Sequence, residues 1–481
     1  MNMRLVPAVA AALLAGCTVG PDYVRPVIEA PAAYKEGFAW QPAQPKDDML
    51  RGNWWAAFGD PQLDRLMERV SISNQTLLAA EAQFRQAVAL AESARAAWFP
   101  TLTASVSETR SRPSGTTGPI TGLATNKRTI YSLPVNASWE ADLWGKIRRS
   151  VESGEAAAQA SAADLENARL SVGTELALDY FQLRAIDAQK QLLDTTIAAY
   201  VKSLELTRNR YSAGVVSKSD VAQAETQLKS TQAQALDLGV QRAQLEHAIA
   251  ILLGTPPSSF AIAAAPLAAV PPAVPVGLPA ELLERRPDIA AAERRVAAAN
   301  AQIGVAQSAF FPSATLGAAY GYQSATLAQW FTVPSRFWSV GPALAATLFD
   351  GGGRRAASNQ AIAAYDASVA NYREAVLTGF KEVEDGLATL RILEQEAQLQ
   401  AEAVAAAQQA LEFAINQYKA GIVNYLQVVT AQAAALSNQR SAADILARRV
   451  TASVQLVKAL GGGWDAGALP AAGELSGRAA K

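Results

Sequence analysis

Cysteine and histidine are almost absent from this chain of 481 residues, which contains one of each. A single cysteine excludes an internal disulfide framework and a cysteine-based metal cluster. The formal net charge is −1, so the charge balance indicates neither nucleic acid nor an anionic surface as a partner. His247 lies on a predicted helix without a cysteine partner, and we interpret it as packed or solvated. The sequence therefore predicts no metal and no cofactor.

Catalytic motifs are lacking as well. The glycines from Gly351 to Gly353 are not followed by the Gly-Lys-Ser/Thr ending of a phosphate-binding loop. We interpret them as a strand-to-helix turn, with Asp350 near the helix start. Glu293, Arg294 and Arg295 are consecutive on a predicted helix, where we expect them to be solvated or paired. These observations argue against an enzyme.

A hydrophobic run long enough to span a membrane is missing at the N-terminus. The apolar segment from Leu5 to Leu14 follows Arg4 and leads into Leu14-Ala15-Gly16-Cys17, which is typical of a secretion signal. The ending resembles the lipobox of bacterial lipoproteins, which implies removal of residues 1–16 and acylation of Cys17, palmitate included. Several acyl chains on one residue attach a protein stably to a membrane. Thr18, in place of an aspartate, favours the outer membrane, and the alternative is an ordinary signal with an incidental cysteine.

What the sequence does contain is a very long proline-free run, from Arg354 to Ala459. Apolar residues recur there in steps of three and four, as in coiled-coil packing, at Tyr365, Val369, Tyr372, Val376, Phe380, Val383, Leu387 and Leu390. A helix of about 65 residues at roughly 1.5 Å per residue is close to 100 Å long. Gly421 can adopt the positive φ of a helix end, so the pattern predicts a long helical hairpin. We expect nearby charges such as Lys381, Glu382, Glu384 and Asp385 to face water.

The same order of features occurs twice, with an offset of about 210 residues. Corresponding pairs are Phe99-Pro100 and Phe311-Pro312, Asp142-Leu143-Trp144-Gly145 and Phe349-Asp350-Gly351-Gly352, and Tyr211-Ser212-Ala213-Gly214 and Tyr418-Lys419-Ala420-Gly421. The predicted divisions are a signal peptide (1–16), an acylated extended arm (17–60), a first repeat (61–254, strands near 101–111 and 128–142, tip 212–216), a proline-rich linker (255–280), a second repeat (281–460, strands near 314–325 and 336–349, tip 419–424) and a C-terminal tail (461–481).

Each repeat supplies two strands of about ten residues, the length that a tilted membrane-spanning strand needs. Aromatic residues near the strand ends, such as Tyr131, Trp139, Trp330 and Trp338, are typical of the girdles of transmembrane barrels. An ordinary soluble sheet with a buried aromatic core is the alternative. Four strands cannot close a barrel, and lipid does not tolerate an open edge, so membrane strands would have to be pooled by several chains.

Several segments resemble one known family. They are Cys17-Thr18-Val19-Gly20-Pro21-Asp22-Tyr23, Asn53-Trp54-Trp55, Phe58-Gly59-Asp60-Pro61-Gln62-Leu63, Leu282-Leu283-Glu284-Arg285-Arg286-Pro287-Asp288-Ile289, Ala299-Asn300-Ala301-Gln302-Ile303-Gly304-Val305-Ala306, Phe310-Phe311-Pro312-Ser313 and Leu348-Phe349-Asp350-Gly351-Gly352. The chain is similar over nearly its whole length to TolC-like outer-membrane factors, the NodT-like outer-membrane lipoproteins of RND-type efflux systems.

The resemblance implies an α+β membrane protein that forms a homotrimer. Its twelve-stranded transmembrane β-barrel, with four strands per chain, would continue into a long α-helical barrel in the periplasm. Such a protein is a passive outer-membrane conduit for drugs or other small toxic compounds. Its partners would be a periplasmic adaptor (membrane fusion) protein and an inner-membrane RND-type pump.

The resemblance also assigns roles to the two tips. Ala213, Gly214 and Val215, with Ala420, Gly421 and Ile422, would contact the adaptor. The segment from Asn424 to Gln432 would line the periplasmic aperture, in particular Asn424, Tyr425 and Leu426.

An acidic ring, which family members often carry near the second tip, is in doubt here because Val423 and Thr430 stand at the aligned positions. The first tip retains Asp220. We therefore expect closure to depend on Tyr425 and Leu426 packing across the axis.

Two other functions remain as alternatives. One is the exit duct of a protein secretion system, and the lipobox and NodT-like motifs favour efflux over it. The other is a periplasmic coiled-coil scaffold without a pore, which the predicted strand pairs and the duplicated order of elements oppose.

Overall fold

The protein is an α+β molecule in which two long helical hairpins extend from one antiparallel sheet. The computed structural model describes residues 18–36, 53–112, 114, 127–268, 271–272, 279–471 and 473–474. The helices are α1 (Pro61–Ser73), α2 (Gln75–Ala96), α3 (Lys146–Ser212), α4 (Lys218–Leu252), α5 (Leu282–Arg285), α6 (Pro287–Ser308), α7 (Gly353–Lys419) and α8 (Tyr425–Ala459). The strands are β1 (Thr101–Ala104), β2 (Ser107–Ser111), β3 (Arg128–Ala141), β4 (Ser313–Ser324) and β5 (Arg336–Ala345).

Helices α3 and α7 run the whole length of the helical part, with 67 residues each. At about 1.5 Å per residue, each is about 100 Å long. Near the sheet, α3 packs between α2 and α6, and α6 packs against α7; towards the tips, α3 packs against α4 and α8, and α8 against α7. The described helices therefore form one layer, with α2 and α4 along one edge and α7 along the other.

None of these helices, within the ranges given above, combines the length and the apolar character needed to cross a membrane.

Helix α4 ends where α2 begins, and the two are joined end to end. Asn74 is the N-cap of α2, and its Oδ1 accepts a hydrogen bond from the Leu77 N–H at 3.0 Å. Its Nδ2 donates to the carbonyl of Leu252, the last residue of α4, at 2.8 Å. Gly254 approaches so closely that a Cβ there would overlap the Ser73 carbonyl oxygen. Asn74 is buried, so its two bonds satisfy helix-end groups that water does not reach.

Helices α8 and α6 meet in a similar junction, built with an arginine. Arg286 precedes α6, and its Nη1 donates to the carbonyl of Ala459 at 2.9 Å and to Glu382 on α7 at 2.6 Å. Its Nε and Nη2 donate to Asp288. Gly461 lies against the Arg285 carbonyl, where a side chain would overlap. The α2–α4 pair and the α6–α8 pair thus each form one continuous row of helices beside α3 and α7.

The largest hydrophobic core surrounds these two junctions. It combines side chains from both hairpins and the N-terminal segment, among them Trp54, Phe58, Tyr180, Phe181, Ile249, Leu253, Leu282, Leu387 and Leu456. A second buried cluster lies near the tips.

The sheet is antiparallel, with β3 and β4 in the middle and with β1, β2 and β5 at its edges. Strands β1 and β2 both pair with β3 in one continuous register, because Thr101 is opposite Ser138 and Ser107 is opposite Ser132. Strand β4 pairs with β5 from Ser313↔Ala345 to Tyr322↔Arg336. Ser105 and Val106 interrupt the edge strand beside Pro134, a residue that has no N–H to donate.

The register separates two faces of different polarity, because directly paired residues share a face. One face carries most of the large apolar side chains, namely Leu102, Leu133, Val135, Trp139, Leu316, Tyr320, Trp338, Val340 and Leu344, with Arg336 at its end. The other face carries mainly small and polar residues, including Thr101, Thr103, Asn136, Ser138, Thr315, Gly317, Ser339 and Gly341, together with Phe337. Trp338 is 74% exposed, so the apolar face is uncovered in a single chain. An apolar surface of this kind indicates a contact with lipid or protein.

The N-terminal arm lies along the helices and links the sheet end to the level of the junctions. The Val19 N–H donates to the Trp144 carbonyl at 3.1 Å, where β3 leads into α3. Farther along, the N–H groups of Lys35 and Glu36 donate to Glu384 at 2.7 and 3.0 Å. Glu384, which we expect to face water, is partly buried, and its carboxylate holds the arm.

The described part of the linker is held in a similar way. Arg242 on α4 donates to Asp187 at 2.8 Å and to the Ile262 carbonyl at 2.6 Å. Arg184 on α3 donates to the Ala263 carbonyl at 2.7 Å. Asp187 is buried, and it also accepts from a linker N–H. This pairing docks the linker onto the first hairpin at the height of the main core.

Two elements differ from the sequence-based expectation. The strand predicted near 336–349 ends at Ala345, because its partner β4 begins at Ser313 and offers no pairing beyond that point. The predicted extended arm also contains a 3₁₀ helix, Trp54–Phe58, whose end residues are buried in the main core.

Replacing Asn74 tests the junction between α4 and α2. We expect Asn74→Ala to lower the free energy of unfolding by about 2 kcal/mol, since a cap is lost and the buried Leu252 carbonyl loses its donor. Chemical denaturation of the purified protein measures the change. Ser71→Ala, an exposed position in the preceding helix, is the control and should shift stability by less than about 0.5 kcal/mol. Equal effects of the two substitutions would remove this role for Asn74.

Candidate functional site

The two hairpin tips have nearly identical backbones. Gly214 has a φ of 74° and Gly421 a φ of 75°, a region that favours glycine. In the first tip the Val215 N–H donates to the Arg210 carbonyl at 2.9 Å, and in the second the Ile422 N–H donates to the Gln417 carbonyl at 2.9 Å. These bonds close the last turns of α3 and α7 in the manner of a glycine-ended helix.

All six residues predicted to contact an adaptor lie on the surface at one end of the molecule. Ala213, Gly214, Val215, Ala420, Gly421 and Ile422 are exposed. Val215 is 61% exposed and Ile422 is 73% exposed, so the tips present apolar side chains to their surroundings. Exposed apolar side chains of this kind are typical of a contact surface.

The helices that follow the tips begin differently. Ser217 and Asp220 form a capping box on α4, in which the Asp220 N–H donates to Ser217 Oγ at 3.2 Å and the Ser217 N–H donates to Asp220 Oδ2 at 3.1 Å. Asp220 is therefore engaged in its own helix start. At the second tip, Asn424 is the N-cap of α8 but makes no side-chain capping bond.

No acidic residue stands at the two aligned positions of the second tip. Val423 is partly buried and packs against the cluster behind the tips. The Thr430 hydroxyl donates to the Leu426 carbonyl at 2.9 Å.

Three buried tyrosines form the centre of the cluster behind the tips, namely Tyr200, Tyr418 and Tyr425. The rings of Tyr418 and Tyr425 meet edge to face at 5.2 Å. The Tyr425 hydroxyl lies 3.0 Å from Ser203 Oγ on the other hairpin, and burial raises the pKa of Tyr425.

These contacts correct one expectation about the aperture. Tyr425 is 1% exposed, so its side chain joins the two hairpins of one chain and is not available for packing across an axis between chains. Asn424 and Leu426 are exposed at the start of α8 and stay predicted aperture residues.

Arg210, which the sequence analysis did not single out, connects the two tips directly. Its Nη1 donates to the carbonyl of Tyr418 at 2.7 Å and to that of Lys419 at 3.1 Å. Its guanidinium lies 4.7 Å from the centre of the Tyr418 ring. A cation at the carbonyl end of α7 is favoured by the helix dipole as well as by these hydrogen bonds. The sequence does contain one sign of this role: Arg210 departs from the repeat, because the corresponding position in the second tip is Gln417.

The other residues considered as candidates have structural surroundings. His247 is exposed on α4. Glu293 is paired with Arg294 and accepts a hydrogen bond from Tyr23.

Asp350 caps the start of α7, where it accepts from the N–H groups of Gly352 and Arg354 at 3.0 Å each. Those bonds and the Arg354 side chain lower the pKa of Asp350 to about 2. Among the described residues, no cluster of His, Cys, Asp or Glu could hold a metal ion. Cys17 lies outside the described residues.

Comparison with known proteins gives consistent matches over nearly the full length. The model of the outer membrane efflux protein family matches residues 66–255 and 278–462. The toluene efflux pump outer membrane protein TtgF of Pseudomonas putida is 33% identical, over 94% of this chain and 95% of its own length. The pyoverdine export outer membrane protein OpmQ of Pseudomonas aeruginosa is 32% identical, with coverage of 97% and 98%.

A solved structure shows the same fold. The outer-membrane channel OprN superposes with a TM-score of 0.86 at 32% sequence identity, covering 93% of this chain and 100% of the OprN chain.

Removing the arginine tests the connection between the tips. We expect Arg210→Ala to speed amide hydrogen exchange at residues 418–424 by about tenfold, because a contact worth about 1.4 kcal/mol between the hairpins is lost. Exchange followed by mass spectrometry on the purified protein measures this. Arg208→Ala is the matched control, since Arg208 is exposed and its ion pair with Glu225 is long, at 3.6 Å. Unchanged exchange in Arg210→Ala would refute the connection.

Proposed function

The chain belongs to the outer membrane efflux protein family, and from this membership we propose how it assembles and what it transports. The membership confirms the resemblance of its motifs. The protein is the outer-membrane channel component of an efflux pump and extends into the periplasm. In our proposal it is a passive conduit for small toxic compounds.

The edges of the chain support assembly of three copies into a closed tube. In both the sheet and the helical layer, the first half of the chain supplies one edge and the second half the other. Pairing β1 and β2 of one copy with β5 of the next would satisfy the open strand edges, which lipid requires. Because β1 and β2 are two parts of one interrupted strand along β3, each copy contributes four strands and three copies would give a barrel of twelve, continued by twelve rows of helices.

The two faces of the sheet support its orientation in the membrane. The face with Trp338, Val340 and Leu344 would meet lipid, while the face with Asn136 and Ser138 would line the channel. This is the alternation of a transmembrane barrel with a polar interior. A scaffold without a pore would have no use for an uncovered apolar sheet face.

The position of the N-terminal arm, at the end of the sheet that joins the helices, supports the proposed lipid anchor. Residues 1–16 would be removed as signal peptide, leaving acylated Cys17. Its neighbour Thr18 lies against Gly145, at the join of β3 and α3. The arm would thus start at the membrane surface, where its acyl chains insert.

The relatives' names support small molecules as cargo. TtgF is named for toluene and OpmQ for the siderophore pyoverdine, and we extend the transport of small compounds to this chain. Protein secretion is the less favoured alternative. The exposed tips, including Val215 and Ile422, would contact a periplasmic adaptor that couples the channel to an RND-type pump in the inner membrane.

Loss of the chain tests the transport function. Deletion of its gene should increase susceptibility to at least one class in a panel of dyes, antibiotics and solvents, and the wild-type chain should restore resistance. Ile422→Asp should fail to restore it because a charge replaces an exposed apolar contact, whereas Ile422→Val should succeed. Equal amounts of each variant in the outer membrane are the control. An unchanged panel after deletion would contradict efflux of these compounds.

Native mass spectrometry tests the assembly. The purified protein should have the mass of three chains. Leu236 is exposed on the edge helix α4, so Leu236→Asp should lower the temperature at which the trimer dissociates, while Leu236→Met should not. A monomeric or dimeric mass for the wild-type protein would overturn the proposed tube.

A further inference from the structure

A cavity of about 400 Å³ lies between the hairpins, next to the tyrosine cluster behind the tips. Residues of α3, α7 and α8 line it. The lining is mainly apolar and includes Leu192, Leu206, Leu411, Ile415, Val428 and Leu436. Its size lies within the range of small-molecule sites, which are apolar clefts with a few placed polar groups.

The amide group of Gln432 contributes a buried acceptor to this cavity. Gln432 lines the cavity from α8 and is only 5% exposed. Its Oε1 is buried without a hydrogen-bond donor among the described residues. The Gln432 side chain also lies next to the Tyr425 hydroxyl, which is 3.0 Å from Ser203 Oγ. A buried acceptor without a donor costs about 1–3 kcal/mol, a cost that a ligand with a donor group would remove.

The charges at the cavity restrict the kind of donor. Lys202 and Lys419 are exposed residues of its lining, and no acidic residue belongs to that lining. Two ammonium groups disfavour an amine ligand, which would itself be positively charged. A neutral hydroxyl is therefore the fitting donor, attached to an apolar ring or chain that the leucine and valine side chains can contact.

We propose that this cavity binds a small neutral amphiphile, such as a phenol or an alcohol, whose hydroxyl donates to Gln432 Oε1. The bound molecule touches α3 of one hairpin and α7 and α8 of the other. It therefore favours the arrangement of the hairpins described above, because a ligand stabilises the state that it contacts best. Binding itself does not depend on the proposed transport function.

Fluorine NMR of the full-length protein with 4-fluorophenol tests the site. We expect saturable binding that Gln432→Leu weakens by at least about tenfold, since a hydrogen bond to a buried acceptor is lost. Gln427→Leu, at an exposed position of the same helix, should bind like the wild type. Ala435→Phe should abolish binding, because Ala435 lines the cavity and a phenyl group would fill it.

Fluorobenzene serves as the matched probe without a donor. It should bind wild type and Gln432→Leu alike, and more weakly than 4-fluorophenol binds wild type. Bound 4-fluorophenol should also slow amide exchange at residues 418–424. Absence of saturable binding, equal affinity of 4-fluorophenol for wild type and Gln432→Leu, or binding retained in Ala435→Phe would overturn the proposal. Because these measurements need no transport, their failure would leave the susceptibility assay of the efflux function unaffected.

Discussion

The architecture depends on joining helices end to end without leaving their backbone groups unpaired. Two hairpins of about 100 Å need helical partners along their whole length, but α2, α4, α6 and α8 are much shorter than α3 and α7. Each junction buries the carbonyl end of one helix against the start of another. Asn74 and Arg286 provide the missing donors, and Gly254 and Gly461 allow the close approach. The described helices therefore form four continuous rows in each chain.

The level of the junctions is also where other segments gather. The main core, the end of the described N-terminal arm and the docked linker all lie around them, held by charged groups such as Glu384 and Asp187. Alanine-rich helices bury little apolar area per residue, so a hairpin alone gains modest stability from packing. Concentrating aromatic and leucine side chains at mid-height fixes both hairpins at one place. Towards the tips, the two hairpins are then connected by the smaller tyrosine cluster.

The sequence predicted the features that local pattern and duplication control. Helical periodicity, strand alternation and the glycine tips were all visible, and the structure has the expected helices and strands in that order. Long-range pairing was not visible. The role of Arg286 depends on a carbonyl far along the chain, and the end of β5 depends on where β4 begins. The burial of Tyr425 was missed for the same reason, because its partner Ser203 belongs to the other hairpin.

The tips show why similar backbones need not behave alike. The first tip is closed internally, since Ser217 and Asp220 cap each other's backbone groups. The second tip lacks such a cap, and its last helical carbonyls instead receive a donor from Arg210 of the first hairpin. Motion of the second hairpin must therefore break contacts with the first, whereas the first tip keeps its own bonds. Within one chain, Arg210 and the tyrosine cluster therefore connect the second tip to the first hairpin.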